Sequence, residues 1–221
     1  MTEPLKTTVL ISGGGSNLQA LIDARDSGRL NVDITHVISN VADAGGLDRA
    51  ERAGISSSVL PHGDFDSRDA FDRALALLIA ASAPDLVVLA GFMRIIGAPV
   101  LEPFQGRLIN LHPSLLPLYR GTETYRRAIE SGDRQHGASI HFVTAQLDGG
   151  PVISQVTIPI ETQDSPDTLA ARLSPEEHAL IVATVELFTR HRVECADDVV
   201  LVDGLTLVQP LQLQADGRLD P

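Results

Sequence analysis

The feature that most constrains this chain is the alternation of short β-rich runs with helical patterns over its first 160 or so residues. The run "DLVVLAG" (85–91) is apolar almost throughout, as in a strand buried on both faces of a sheet. Before it come strand patterns at "TTVLIS" (7–12), "VDITHVIS" (32–39) and "SSSVL". Between them lie helical patterns at "SNLQALIDARDSG", ending near Gly28, and at "GGLDRAERAG". The clearest helix follows Asp66 or Ser67 as cap, with Phe71, Ala74, Leu75, Leu78 and Ile79 on one face. "RLIN" then precedes a long loop, a helix around 123–132, and strands at "ASIHFVT" and "PVISQVTIPI". After about residue 165 the chain is mainly helical, and "VVLVDGLTLV" with its Asp-Gly reads as a hairpin. The βαβα order predicts an α/β fold: an open, mostly parallel twisted sheet with helices on both faces, ending in a helix and a hairpin.

One domain is the expectation for residues 1–221, with a core over about 7–190 and an extension over about 191–221. A net charge of −12 argues against nucleic acid and against an anionic membrane surface, since both repel an acidic protein. A phosphorylated small molecule needs only a local patch and stays open. "MTEPLK" has no apolar signal core and no apolar run reaches spanning length, so a soluble, cytoplasmic protein is expected. Cys195 is the single cysteine, which excludes an internal disulfide, and no metal-ligand cluster surrounds it.

"ISGGGSNLQAL" sits where the first strand hands over to the first helix. Glycines let backbone approach a ligand, and a helix start offers N–H groups to an anion. A dinucleotide fingerprint fails here: Leu18 holds the third glycine position, and the second strand ends in Ser39 and Asn40 rather than an acid. No Lys follows the glycines, so the Walker pattern fails as well. Two readings stay open, a seat for one phosphate or a tight turn capped by Ser16 or Asn17. "NLHPSLLP" (110–117) adds an amide and an imidazole two apart at a strand end, so Asn110 and His112 should face one side. If the strands are parallel, Gly15, Met93, Asn110 and His112 gather at the carboxyl edge, where open α/β sheets bind ligands.

The segments "SGGGSNLQAL", "VISN", "DSRDAFD", "LAGFMRI", "NLHPSLLP", "HGASIHFV" and "LDGGPVI" together resemble the phosphoribosylglycinamide formyltransferase family, the folate-dependent enzymes of purine synthesis. The likeness runs in order from about residue 7 to at least 190. It implies transfer of a formyl group from 10-formyltetrahydrofolate, as co-substrate and without a metal, to the glycyl amine of glycinamide ribonucleotide. It implies Asn110, His112 and Asp148 as catalytic residues: an amide donor to the developing oxyanion, a proton carrier, and a carboxylate holding the imidazole. It implies Gly15, Ser16, Asn17 and Glu177 at the ribonucleotide, and Arg68, Met93, Arg94, Ile95, Ile96 and Asn110 at the folate. The expected partners are these two small molecules, not nucleic acid or membrane, with the chain a monomer or homodimer.

The loop "LYRGTETYRRAI" departs from that family, with Glu123 and Tyr125 where histidines are usual. Pro175 in "LSPEEH" is also unusual and is expected to start a fresh helix, with Ser174 as cap and Glu177 as box partner. The "YRG" resembles the methionyl-tRNA formyltransferases, which should carry a further C-terminal domain and a basic tRNA surface. Formyltetrahydrofolate hydrolase, the other alternative, should carry an N-terminal regulatory domain. A non-catalytic nucleotide-binding module would explain the glycine loop but not Asn110, His112 and Asp148 together.

Overall fold

The computed structural model describes residues 3–221. The elements in chain order are β1 (Leu5–Ile11), α1 (Ser16–Asp26), β2 (Val32–Ser39), α2 (Gly45–Arg52), β3 (Ser57–Val59), α3 (Arg68–Ala81), β4 (Leu86–Leu89), α4 (Ala98–Leu101) and β5 (Leu108–His112). They continue as α5 (Thr124–Glu130), β6 (Gln135–Phe142), β7 (Val152–Pro159), α6 (Pro166–Arg190), β8 (Val193–Ala196), β9 (Val199–Val202), β10 (Leu205–Thr206) and β11 (Leu211–Gln212). The chain forms two compact units and passes from one to the other within β5, after Asn110.

In the first unit the strand order is β3-β2-β1-β4-β5, all parallel. The chain steps outward from β1 to β3 and then returns past β1 to β4. Right-handed crossovers therefore place α1 and α2 on one face and α3 on the other. The order reverses beside β1, the usual place for a ligand crevice in such sheets. β1 and β4 are apolar because both their faces are covered: Val9, Leu10, Ile11, Val87 and Val88 are all buried. The stripe expected on α3 is real, with Phe71, Leu75 and Ile79 buried at four-residue spacing. Of the two candidate caps, Ser67 is the one used, accepting from the Ala70 N–H at 3.1 Å.

In the second unit β6 pairs antiparallel with β7, and β11 adds parallel to β7. The fold class is the expected one, a mostly parallel α/β sheet with helices, and β8, β9 and β10 form an additional small antiparallel sheet. The expected hairpin is β9–β10, turning at Asp203 and Gly204, both with positive φ.

Pro175 does not start a new helix. α6 runs unbroken from Pro166 to Arg190, and its capping box is Ser165 with Thr168, not Ser174 with Glu177. A proline inside a helix removes one hydrogen bond. Here burial holds the helix together on either side of it, through Leu169 and Leu173 before and Leu180 and Ile181 after. Among the described residues no helix is long and apolar enough to cross a membrane.

Candidate functional site

In the first unit three loops leave the carboxyl ends of β1, β2 and β4 and are tied together by one side chain. Ser12 donates its hydroxyl to Asn40 Oδ1 and accepts from the Met93 N–H at 2.7 Å. Its own N–H donates to the Gly91 carbonyl at 3.1 Å. Asn110 belongs to the same edge, in register with Leu89, the last residue of β4. The expected convergence of Gly15, Met93 and Asn110 on one sheet edge follows from this parallel arrangement.

The glycine loop is a turn with an open side. Gly15 takes the cap position of α1 with φ 71°, and neither Ser16 nor Asn17 caps the helix with its side chain. The need for glycine at 15 comes from the protein itself: a Cβ there would lie 2.6 Å from Gly46 Cα. Gly13 and Gly14 are different, because a Cβ on either would meet nothing within 4 Å. Arg49 steadies the loop, donating to the Gly14 carbonyl at 2.7 Å and to Gln19 Oε1 at 3.0 Å. Asn17 Oδ1 is buried without a partner, an acceptor left over at the start of α1.

Next to it in this unit lies the segment after β4. Met93 is 74% exposed and Ile95 51%, a large apolar exposure for two residues of one loop, while Ile96 is buried. Arg68, at the start of α3, donates to the Ile95 carbonyl at 2.9 Å. The Arg94 guanidinium lies 5.9 Å from the centre of the Phe71 ring. An exposed apolar pair on a pinned backbone beside a cationic side chain fits a flat, partly polar ring system.

The second unit holds the buried polar groups. β5 ends at His112, which is 5% exposed. Its Nδ1 lies 3.5 Å from Asp148 Oδ2, and its Nε2 lies 2.9 Å from the Tyr119 carbonyl. A carbonyl and a carboxylate can only accept, so the doubly protonated ring is the form that can donate to both. Asp148 sits in the β6–β7 connection with φ 45°, a left-handed conformation uncommon outside glycine. Its Oδ2 also accepts from the Gly121 N–H at 2.8 Å, which ties the loop after β5 to the same carboxylate. Gly150, two residues on, is needed for close approach, since a Cβ there would fall 1.9 Å from the Phe142 carbonyl oxygen. The Asp-Gly-Gly is therefore both a turn and the mount for a carboxylate.

His141 is a residue the sequence reading passed over. It is buried on β6, with Nε2 3.7 Å from Asp148 Oδ1 and Nδ1 2.9 Å from the Phe142 carbonyl. Burial pulls its pKa down to about 4, against the pull of Phe142 and Asp148, so it stays neutral at pH 7. Its only sequence signal was a histidine inside an apolar strand. The Tyr119 contact had none, because a backbone carbonyl belongs to no residue type.

Glu177 lies in mid-α6 and accepts from the Tyr125 hydroxyl at 3.2 Å. Burial pushes its carboxyl up to about 7, although the Tyr125 bond pulls the other way. Tyr125 in turn packs against the His136 ring at 5.1 Å, and His136 is itself buried with Nε2 unpartnered. His178 turns elsewhere, toward Ser174 Oγ at 3.5 Å, as the 100° step between helix neighbours requires. Among the described residues no group of three or more His, Cys, Asp or Glu is placed to hold a metal ion.

Comparison with known proteins adds a family. Residues 5–185 match the model of the formyl transferase family. The chain is 47% identical over 203 residues to phosphoribosylglycinamide formyltransferase of Escherichia coli (strain K12), covering 92% of this chain and 96% of that one. It is 42% identical over 202 residues to the enzyme of the same name from Haemophilus influenzae, covering 91% and 95%. Among solved structures, phosphoribosylglycinamide formyltransferase from Coxiella burnetii superposes with a TM-score of 0.88 at 44% identity, over 93% of this chain and 97% of that one.

Proposed function

This chain belongs to the formyl transferase family, and from that premise we propose that Asn110, His112 and Asp148 carry its chemistry. The protein transfers the formyl group of 10-formyltetrahydrofolate to the glycyl amine of glycinamide ribonucleotide, in purine synthesis. The observation that carries this reading is the 47% identity over nearly the full length of both chains. Residues 1–221 act as one formyltransferase domain, in the cytoplasm, as a monomer or homodimer that binds neither nucleic acid nor membrane.

The formyl folate supplies the activated one-carbon unit, and no metal takes part. Attack by the amine builds negative charge on the formyl oxygen and positive charge on nitrogen, so the protein must supply a donor and a proton path. Asn110 supplies an amide N–H to that oxygen. His112 carries the proton, and to reach a substrate its Nε2 must exchange the Tyr119 carbonyl for it. Asp148 keeps Nδ1 engaged at 3.5 Å, a spacing that tightens when a reaction complex forms. The neutral, buried His141 beside Asp148 adds no second positive charge to the pair.

The ribonucleotide phosphate sits at the start of α1, on Gly15, Ser16 and Asn17, where uncapped N–H groups favour an anion. The unpartnered Asn17 Oδ1 is available to a substrate donor. Glu177 meets the cationic glycyl amine, and a cation beside a buried carboxylate favours its ionised form. Arg68, Met93, Arg94, Ile95, Ile96 and Asn110 take the folate, with the exposed Met93 and Ile95 as the apolar wall.

The test is incubation with 10-formyltetrahydrofolate, with and without glycinamide ribonucleotide, following release of tetrahydrofolate. Turnover should require the ribonucleotide and yield its formylated product. Turnover that ignores the ribonucleotide would assign a hydrolase instead.

A further inference from the structure

Asp72 is the anomaly of the first unit. It follows Phe71 on α3 and is 2% exposed, among side chains that are otherwise apolar on that side of the helix. A buried carboxylate is costly unless it is paired, and an apolar residue of similar size is often cheaper. The pairing here is incomplete. Asp72 Oδ1 has no partner. The Gly97 backbone packs closely against Oδ2, and Oδ2 lies 3.7 Å from Arg68 Nε. Burial pushes the Asp72 carboxyl up, against the pull of Arg68, the Gly97 N–H and Arg94, with Asp69 adding to the rise.

What Asp72 does hold is specific. Gly97 is the residue from which α4 starts, so its backbone closes the segment 93–97. A Cβ on Gly97 would fall 2.4 Å from Asp72 Oδ2, so glycine is what lets the carboxylate reach that backbone. Arg68, the other partner, spends a donor on the Ile95 carbonyl in the middle of the same segment. Asp72 thus touches one end of the segment directly and its centre through Arg68. At that centre the chain exposes Ile95, and two residues before it Met93.

We propose that Asp72 is the positioning residue of the folate-binding segment, fixing Arg68 and the Gly97 backbone so that Met93 and Ile95 are presented in one arrangement. This rests on the reading that residues 93–96 bind the folate. Asp72 meets no substrate itself. It acts by fixing in advance a surface that would otherwise have to be ordered on binding.

The experiment uses the full chain and the isosteric variant Asp72→Asn, with Gly97→Ala as a second variant that pushes a methyl against the carboxylate. Tetrahydrofolate is titrated by calorimetry, and KM for each substrate is measured separately. Asp72→Asn should weaken tetrahydrofolate binding and raise KM for 10-formyltetrahydrofolate by about tenfold, a change worth about 1.4 kcal/mol. KM for the ribonucleotide should move less than about twofold. Gly97→Ala should show the same split, and it carries the test if Asp72→Asn does not fold. Adding Asp72→Asn to Arg68→Ala should cost little further, because the two act in series. Equal rises in both KM values, or unchanged folate binding, would overturn the proposal. A wild-type protein that takes up no tetrahydrofolate would overturn the folate reading beneath it, a result distinct from loss in the variants alone.

Discussion

The edge of the first unit and the polar cluster of the second are built on opposite plans. At the edge, backbone groups, glycines and exposed apolar side chains do the presenting, and one buried-side hydroxyl, that of Ser12, ties the loops after β1, β2 and β4. In the cluster, His112, His141 and Asp148 are nearly closed to solvent, and two of the three show strain or a displaced pKa. The contrast separates two jobs. Holding a ligand needs a shape that water can leave, so the contact residues must start out exposed. Moving a proton needs charges in a medium of low dielectric, where each interaction is strong and each orphaned group costly. A change at the edge should therefore be read in KM or in stability, except at Asn110, which is assigned to the chemistry, and a change in the cluster in kcat.

Among changes at the edge, the largest effect should come from Asn110, which ends the edge at β5 and is assigned to the developing oxyanion. Asn110→Ala should lower kcat by about 10²–10³, the usual scale for an oxyanion donor, with a much smaller change in KM for the ribonucleotide. Steady-state kinetics with each substrate varied in turn would check it, and a pure KM effect would move Asn110 to the binding side of the contrast. The next effect sharpens the edge itself. Gly15→Ala places a Cβ against Gly46 and holds φ at +71°, so it should cost about 1–3 kcal/mol and lower Tm by several degrees. Gly14→Ala meets open space, so it should leave Tm unchanged and raise KM for the ribonucleotide. Paired calorimetry and kinetics would separate the two, and equal Tm values would break the packing account of Gly15.

The smallest effect belongs to Glu177. Its folded pKa of about 7 lies above that of an ordinary glutamate, so the folded protein holds the proton more tightly than the unfolded chain does. Stability should therefore fall as pH rises from about 4.3 to about 7 through this residue, and be flat in it above that. The partial exposure of Glu177 keeps the effect below about 2 kcal/mol. Glu177→Gln removes the titrating group, so the fall in Tm between pH 5 and pH 8 should shrink in the variant. An unchanged fall would mean that Glu177 is ionised in the free protein.

Much of this was legible in the residues, for local reasons. β2 was found at 32–39 because its apolar alternation and flanking loops agree, and the face of α3 because Phe71, Leu75 and Ile79 repeat every four residues. Pro175 misled because its local signal is strong, while the buried leucines that carry α6 past it act through tertiary packing. The short strands β8 and β11 carry too few residues to show a period. In the site, side-chain identities were readable and their neighbours were not. The reason for Gly15 is the nearby Gly46, 31 positions on, and the partner of His112 Nε2 is a backbone carbonyl. Asp72 read as one more polar residue of a helix, because nothing in the sequence announces that Gly97 lies against it.

The central claim is that the buried His112 and Asp148 work as one unit. Single-turnover and steady-state rates for Asp148→Asn, His112→Ala and the double variant test it directly, with ligand titrations to show that both substrates still bind. Each single change should lower kcat by about 10²–10⁴, and the double variant should be little worse than the poorer single, since residues acting together are not additive. A double variant whose loss equals the product of the single losses would show that the two residues act independently, and the pairing would have to be given up.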